Sequence, residues 1–184
     1  MISIESRKAI EFSALKLKHV VRKRTGLPYY THIVRVICFL LEHGVRGNSI
    51  LSAAALHDNI EEGNCSVEEL SNHFKEPTVK LVVELTDSSI DDSLVLKQHK
   101  IFLAKYVYSN DAIIISCSDK YDNFYENISE YKLGLTKFTP SKIDYYFGLY
   151  KSFEYRLQKK HDRALENMLK DYRLLLAKYE NEVK

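Results

Sequence analysis

Apolar residues recur at helical spacing along most of the chain, and no segment alternates apolar and polar residues as a β-strand does. The spacing predicts a first helix from about Ile4 to Arg22 and a second from about Thr31 to Gly44. A third helix is predicted from about Asn48 to Glu62. Because it is rich in alanine and leucine, we expect it to be the central, buried helix.

Local capping signals predict the helices that follow. Ser66 and Glu69 form a capping-box pattern, which marks the start of a fourth helix, and Pro77 opens a fifth. Further helices are predicted at about residues 93–108 and 111–127, after an acidic turn at residues 87–92.

The C-terminal part begins with Thr139 followed by Pro140, a cap with proline at the first helical position. This signal predicts one long final helix, which runs to about residue 179. The whole pattern indicates an all-α protein with a single compact domain over residues 1–184. Its motif-bearing core lies at about residues 5–130, and its C-terminal helical part lies at about residues 139–180.

Composition fits a globular intracellular protein, with 45% hydrophobic and 28% charged residues. A net charge of +2 does not call for a nucleic-acid partner. Three scattered cysteines without a CxxC pair favour a reducing compartment, and no apolar run suits a signal peptide or a membrane span. We therefore expect a cytoplasmic protein without a membrane partner. The apolar stripe of the final helix leaves a homodimer open.

Polar residues inside apolar helices point to a metal centre. His57 and Asp58 stand side by side in the alanine-rich helix, where an unpaired carboxylate costs several kcal/mol. His32 begins an earlier helix, and Asp119 interrupts a later apolar one. Two imidazoles and two carboxylates suit Mn²⁺, with Fe²⁺ or Zn²⁺ as alternatives. Such a site activates a water molecule as a nucleophile.

Three further polar residues lie one helical turn beyond these ligands. Glu61 and Glu62 follow the His–Asp pair, and Asn123 follows Asp119. A carboxylate beside an activated water can orient it or accept its proton. The alternative is that the two glutamates form an ordinary polar helix end before Gly63.

Cationic residues precede the first ligand. Lys23 and Arg24 lie before the turn that leads to His32, where they suit a phosphate group, and arginine can also stack on a base. Their alternative role is that of a solvated helix terminus. A second His–Asp pair, His161 and Asp162, lies in a charged run and is interpreted as a solvated surface.

Three segments carry a family resemblance: KRTGLPYYTH at residues 23–32, AAALHDNIEEG at residues 53–63 and SCSDKYDN at residues 116–123. They resemble the motifs of the HD superfamily, and more narrowly those of the hydrolase domain of Rel/SpoT proteins and the stand-alone small alarmone hydrolases. The resemblance covers about residues 5–130.

The resemblance implies an HD-type helical fold, bound Mn²⁺ and hydrolysis of the 3′-pyrophosphate of the guanosine alarmones (p)ppGpp by a metal-activated water. It implies that the metal ligands are His32, His57, Asp58 and Asp119. It implies that Glu61 and Glu62 work with the nucleophilic water. It implies that the nucleotide is contacted by Lys23, Arg24, Thr25 and Asn123.

The chain departs from the family motifs at several positions. Lys23 and Arg24 stand in reversed order, Glu62 replaces an aspartate, Ile33 replaces a proline and Ser116 replaces a lysine. All four expected metal ligands are present, whereas residues expected to bind the substrate or to accept the proton of the water differ from the family motifs. Two alternatives therefore stay open: an HD phosphohydrolase for another phosphorylated nucleotide, and a nucleotide-binding or antitoxin-like module that has lost turnover.

Overall fold

The computed structural model describes residues 2–86, 93–137 and 139–183. Within these ranges the chain forms nine α-helices and no β-strand, so the predicted all-α class is confirmed. The helices are α1 (Ile4–Lys16), α2 (Tyr30–Glu42), α3 (Asn48–Leu56), α4 (Val67–His73), α5 (Glu76–Leu85), α6 (Ser93–Phe102), α7 (Asn110–Lys132), α8 (Pro140–Lys159) and α9 (Arg163–Val183). A short π-helical segment, Leu103–Val107, follows α6, and the predicted acidic turn at residues 87–92 lies outside the described residues.

Helix α3 is the centre of the domain, as its composition predicts. It packs against α1, α2, α5 and α7, and its residues 51–56 are all buried. Small alanine side chains leave room for four neighbouring helices at close-packed density. The central helix therefore brings its C-terminal end next to α2 and α7.

Helix α3 ends six residues earlier than predicted, at Leu56, and residues 57–62 form a run of turns. Gly63 follows these turns and packs closely against Asn59. The position requires glycine, because a Cβ atom there would lie 2.8 Å from the carbonyl oxygen of Asn59. Asn59 is buried, and its side-chain oxygen accepts a hydrogen bond from the Ser13 hydroxyl of α1 at 2.9 Å. The tight turn after α3 is thus pinned to the first helix.

The first helix is also shorter than predicted and ends at Lys16. The chain then forms a compact loop with an isolated antiparallel bridge between Val21 and Pro28. Gly26, with φ of +68°, provides the turn of this loop. The loop places residues 22–24 beside the start of α2.

The prediction of one long C-terminal helix is wrong. Helices α8 and α9 are separated by Lys160, whose backbone is extended with φ −144° and ψ 109°. The carboxylate of Asp162 accepts a hydrogen bond from the backbone N–H of Leu165 at 3.0 Å, which caps α9. His161 is exposed. The second His–Asp pair thus consists of a surface histidine and a helix-capping aspartate, in agreement with its interpretation as a solvated surface.

None of the helices in the described ranges combines the length and the apolar character that a bilayer crossing requires.

The predicted cap of α4 is confirmed, since the Ser66 hydroxyl accepts from the backbone N–H of Glu69 at 3.1 Å. We expect Ser66→Ala to lower the free energy of unfolding by about 1 kcal/mol in urea denaturation. Ser71→Ala is the matched control, because the Ser71 hydroxyl only donates to the Val67 carbonyl within the same helix. Equal stability losses in the two variants would contradict the capping role.

Candidate metal centre

Four predicted ligands from α2, α7 and the turn after α3 meet at one point. His32 lies in the first turn of α2, His57 and Asp58 follow α3, and Asp119 lies near the middle of α7. The Nε2 atom of His32 is 3.5 Å from Oδ2 of Asp58 and 3.2 Å from Oδ1 of Asp119. The Nε2 atom of His57 is 3.2 Å and 3.7 Å from the same two oxygens. Three of these residues, His32, His57 and Asp119, are buried and could hold a metal ion.

Both imidazoles are held through their Nδ1 atoms. Nδ1 of His57 lies 2.8 Å from the carbonyl oxygen of Ala54, and Nδ1 of His32 lies 2.6 Å from Oδ2 of Asp122. With Nδ1–H donating to these acceptors, each Nε2 lone pair faces the other ligands. Among the described residues, Nε2 of His57 is buried without a hydrogen-bond partner. An orphaned nitrogen surrounded by carboxylates fits a divalent metal.

The carboxylates give this centre a strong preference for positive charge. Burial lowers the pKa of His32, but Asp119 and Asp122, which contact its two ring nitrogens, outweigh burial and raise the pKa to about 9. Burial likewise lowers the pKa of His57, and the charges of Asp58 and Asp119 reverse the shift and raise it. The carboxylates around the two imidazoles therefore favour positive charge at this centre.

Asp119 has a cation as its neighbour in sequence. Burial raises the pKa of the Asp119 carboxyl, but the Lys120 ammonium group and the two histidines hold it well below its usual range. Lys120 in turn contacts the Asp119 carboxylate, which raises the pKa of Lys120 well above its ordinary value despite burial. Asp119 therefore stays ionised and available to a metal.

Glu61 lines a cavity over this centre, called here the metal cavity. The metal cavity is lined by His57, Asp58, Glu61, Leu85, Lys100, Tyr108, Ile115, Ser116, Asp119 and Lys120. Glu61 thus shares the cavity with three of the four ligands. Two lysines, Lys100 and Lys120, also lie on its wall.

Glu62 faces a different depression, called here the basic groove. The basic groove is lined by Val21, Arg22, Lys23, Arg24, Tyr29, Glu62 and Glu130. The two predicted catalytic glutamates therefore lie on different walls, although they are adjacent in sequence. Glu62 lies among the cations of the loop after α1, away from the metal cavity.

The predicted nucleotide contacts divide between the loop and α7. Lys23 is exposed, whereas Arg24 donates to Glu130 at 2.8 Å. The Thr25 hydroxyl accepts from the backbone N–H of Leu27 at 3.4 Å, inside the turn. Asn123 donates to the Asp119 carboxylate, so this predicted substrate contact also orients a metal ligand.

Tyr29 has a role at this centre that the sequence pattern did not indicate. It is partly buried, and its hydroxyl donates to Oδ2 of Asp58 at 2.8 Å. Burial and the adjacent Asp58 carboxylate raise the pKa of the Tyr29 hydroxyl, so that it remains a donor. The guanidinium of Arg22 lies 5.0 Å from the centre of the Tyr29 ring.

Asp122 was missed as well, and its only signal in the sequence is its spacing. It follows Asp119 by three residues, which places both carboxylates on one face of α7. Its partner His32 is 90 residues away in the chain, a separation that helical periodicity does not bridge.

The pKa of His32 predicts the pH dependence of stability in the metal-free protein. Because the folded-state value of about 9 exceeds the unfolded value, protonated His32 stabilises the fold below pH 6.5, and this contribution is lost as the pH rises through 9. Between pH 6.5 and pH 9 we expect the free energy of unfolding to fall by on the order of 2 kcal/mol in urea titrations. Saturating metal is the control and should remove this fall, because a metal requires neutral imidazole. A flat profile without metal would contradict the assignment.

No family model matches the chain, but several curated proteins are similar to it. The guanosine-3′,5′-bis(diphosphate) 3′-pyrophosphohydrolase MESH1 of Mus musculus is 32% identical over 117 residues, which cover 62% of this chain and 65% of that protein. The guanosine-3′,5′-bis(diphosphate) 3′-pyrophosphohydrolase of Aquifex aeolicus (strain VF5) is 40% identical over 83 residues, 45% of this chain and 12% of that protein. The similar region thus spans less than two thirds of the length of these relatives.

Solved structures extend the similarity over nearly the whole chain. A metazoan ortholog of SpoT that hydrolyzes ppGpp is 25% identical with a TM-score of 0.75, and the match covers 92% of this chain and 94% of that one. The protein lmo0812 from Listeria monocytogenes EGD-e shares the fold, with 22% identity, a TM-score of 0.65 and coverage of 79% and 95%. The resemblance predicted from the three motifs is therefore confirmed: in sequence and in fold, this chain resembles HD-superfamily alarmone hydrolases.

Proposed function

We propose that this chain hydrolyses the 3′-pyrophosphate of guanosine alarmones of the (p)ppGpp type. The observation that carries the proposal is the convergence of four candidate ligand side chains from two helices and the turn after α3, in a fold similar to that of a ppGpp-hydrolysing protein. A buried cluster of two imidazoles and two carboxylates without a cation would be costly, and a catalytic metal compensates it.

The metal is proposed to be Mn²⁺, held by His32, His57, Asp58 and Asp119. Mixed nitrogen and oxygen ligands suit Mn²⁺, Fe²⁺ and Zn²⁺, and the resemblance favours the first. When bound, a divalent metal supplies Lewis acidity, which lowers the pKa of water and neutralises phosphate charge. Tyr29 supports this role, since its hydroxyl fixes Oδ2 of Asp58 toward both imidazoles.

Glu61 is the proposed general base, because it lines the metal cavity beside three ligands. Water adds to the phosphorus that is bonded to the 3′-oxygen, the bond between that phosphorus and the 3′-oxygen breaks, and pyrophosphate leaves. The proton lost by the water goes to Glu61, and the 3′-oxygen takes a proton from solvent. Lys100 on the same wall offers positive charge to the departing pyrophosphate, whereas Lys120 is paired with Asp119.

The basic groove is the proposed nucleotide-binding surface. Arg22 and Arg24 are neutralised there by Glu126 and Glu130, whereas Lys23 makes no ion pair within the described part of the chain. Lys23 is thus the cation available to a phosphate group, and Thr25 and Arg24 flank it. Glu62 shapes the wall of this groove, so its proposed contribution is to substrate placement.

The three cysteines, which are free thiols, support the predicted cytoplasmic setting of this activity.

A second candidate is hydrolysis of another phosphorylated nucleotide, and Ser116 is the observation that favours it. Ser116 lines the metal cavity at the position where the family motif has a lysine. A hydroxyl in place of a cation removes one charge from the wall that would face a phosphate group.

The first test is pyrophosphate release from ppGpp by metal-stripped protein, with and without added Mn²⁺. We expect release only with Mn²⁺, and we expect the double variant His57→Ala/Asp58→Ala to abolish it. The chain offers a matched control, His161→Ala/Asp162→Asn, which alters the other His–Asp pair but retains a residue that can cap α9. This control should keep wild-type activity.

Absence of release from a protein that binds Mn²⁺ would overturn ppGpp as the substrate. Turnover of another phosphorylated nucleotide would then support the second candidate. Binding of ppGpp without turnover, with strong activity gained by Glu62→Asp, would instead support a binding or antitoxin-like module.

The positions of Glu61 and Glu62 predict different kinetic effects. Glu61→Gln should lower kcat by about 100-fold or more and leave Mn²⁺ affinity nearly unchanged, because it removes a proton acceptor. Glu62→Gln should change KM more than kcat, because Glu62 faces the basic groove. Steady-state kinetics with both variants checks this, and a larger loss of kcat in Glu62→Gln would reverse the assignment.

A further inference from the structure

Behind the metal centre, on the side away from the metal cavity, His32 contacts a second carboxylate. Nδ1 of His32 lies 2.6 Å from Oδ2 of Asp122, and both side chains are buried. We propose that Asp122 is a positioning residue, which holds the His32 imidazole with Nε2 facing the metal, and that Arg35 holds Asp122 in turn. The proposal rests on the metal centre of the proposed function, but it does not depend on the identity of the nucleotide.

The contact with Asp122 decides which ring nitrogen of His32 is available. A carboxylate accepts hydrogen bonds and does not donate, so His32 must present Nδ1–H to Asp122. Nε2, which points at Asp58 and Asp119, is then the nitrogen with the free lone pair. A carboxylate partner also raises the basicity of an imidazole ligand and fixes the rotation of its ring.

Arg35 fixes Asp122 through a two-point contact. Its Nε lies 2.6 Å from Oδ1 and its terminal nitrogen lies 2.9 Å from Oδ2 of Asp122. This fork geometry orients the plane of the carboxylate as well as neutralising its charge.

Helix α2 carries both residues that Asp122 contacts. Arg35 follows His32 by three residues, so the two side chains leave the same face of α2. Asp122 reaches that face from α7, three residues after the ligand Asp119. The contacts of Asp122 with α2 therefore hold His32 of α2 and Asp119 of α7 at a fixed distance from each other.

The chain of contacts continues until it reaches a second metal ligand. Arg35 lies 3.5 Å from Glu126, Arg22 contacts the same Glu126 carboxylate, and Arg22 donates to Asn123 at 3.0 Å. Asn123 then donates to Asp119. A closed ring of polar contacts thus connects His32 to Asp119. If Asp122 served only to pack α7 against α2, these contacts would not need to begin and end at two candidate metal ligands.

The experiment compares Mn²⁺ affinity of the metal-stripped full chain in wild type, Asp122→Ala and Asp122→Asn by calorimetric titration. We expect Asp122→Ala to weaken binding by about 10- to 100-fold. We expect a loss of about threefold or more in Asp122→Asn, whose amide oxygen still accepts from Nδ1–H but carries no charge. Thermal unfolding without metal reports separately on any loss of packing.

The chain offers a matched control in a second histidine–carboxylate pair, formed by His43 at the C-terminal end of α2 and Asp171 of α9. Nε2 of His43 lies 3.1 Å from Oδ2 of Asp171, but this pair does not touch the metal centre. Asp171→Ala should therefore keep Mn²⁺ affinity within about twofold of wild type. As a second readout, ¹⁵N-labelled histidine in the Zn²⁺-loaded protein should show the His32 Nδ1–H proton far downfield in wild type and lose that signal in Asp122→Ala.

Two outcomes overturn the proposal. The first is a folded Asp122→Ala variant with wild-type Mn²⁺ affinity and an unchanged His32 signal. Should Asp122→Ala fail to fold, wild-type affinity in Asp122→Asn is the second. Asp122-dependent Mn²⁺ binding without ppGpp turnover would support the positioning role and overturn only the substrate, whereas absence of metal binding in wild type would overturn both.

Discussion

The inward-facing acids of α7 are the constraint on which the rest of the structure depends. Four carboxylates lie buried along one face of this helix: Asp119, Asp122, Glu126 and Glu130. Each has a cation beside it, namely Lys120, Arg35, Arg22 and Arg24 in the same order. Because an unpaired buried carboxylate is strongly unfavourable, this face fixes where α2 and the loop after α1 can lie. Asp119 differs from the others in also facing two imidazoles and Asp58, and that local excess of carboxylate charge is what a metal would balance.

The same constraint explains why the basic loop does not present three equivalent cations. Two of its arginines form ion pairs with acids of α7, which hold the loop in place and offset the arginine charges, although the Arg24 side chain remains 44% exposed. Lys23 between them stays exposed. The arginines thus build the groove, and the lysine gives it its remaining positive charge. Sequence alone weighted Lys23 and Arg24 equally, because ion pairs over more than 100 residues of separation leave no local pattern.

Helix content and the candidate ligands were predictable because both leave local signals. Periodicity predicted most helices, and polar residues in or beside apolar helices indicated four candidate ligands, which the structure brings close together. The errors occurred where tertiary contacts override propensity. Helix α3 stops at Leu56, before the turns in which Gly63 packs against Asn59, and α8 ends at the extended Lys160, after which Asp162 caps α9. The contacts made by Tyr29 and Asp122 were missed for a related reason, since their partners lie on other elements.

The early end of α3 also explains how one short segment serves two surfaces. In a continuing helix, Glu61 and Glu62 would each stand one turn beyond a metal ligand, as their spacing first indicated. The turns at residues 57–62 instead send Glu61 to the metal cavity and Glu62 to the basic groove. The proposed proton acceptor and a wall of the proposed binding surface are thereby adjacent residues, and two residues separate them from the candidate ligand pair. Any shift of this turn would move both surfaces relative to the metal centre, so the packing of Gly63 against Asn59 sets the geometry of the entire site.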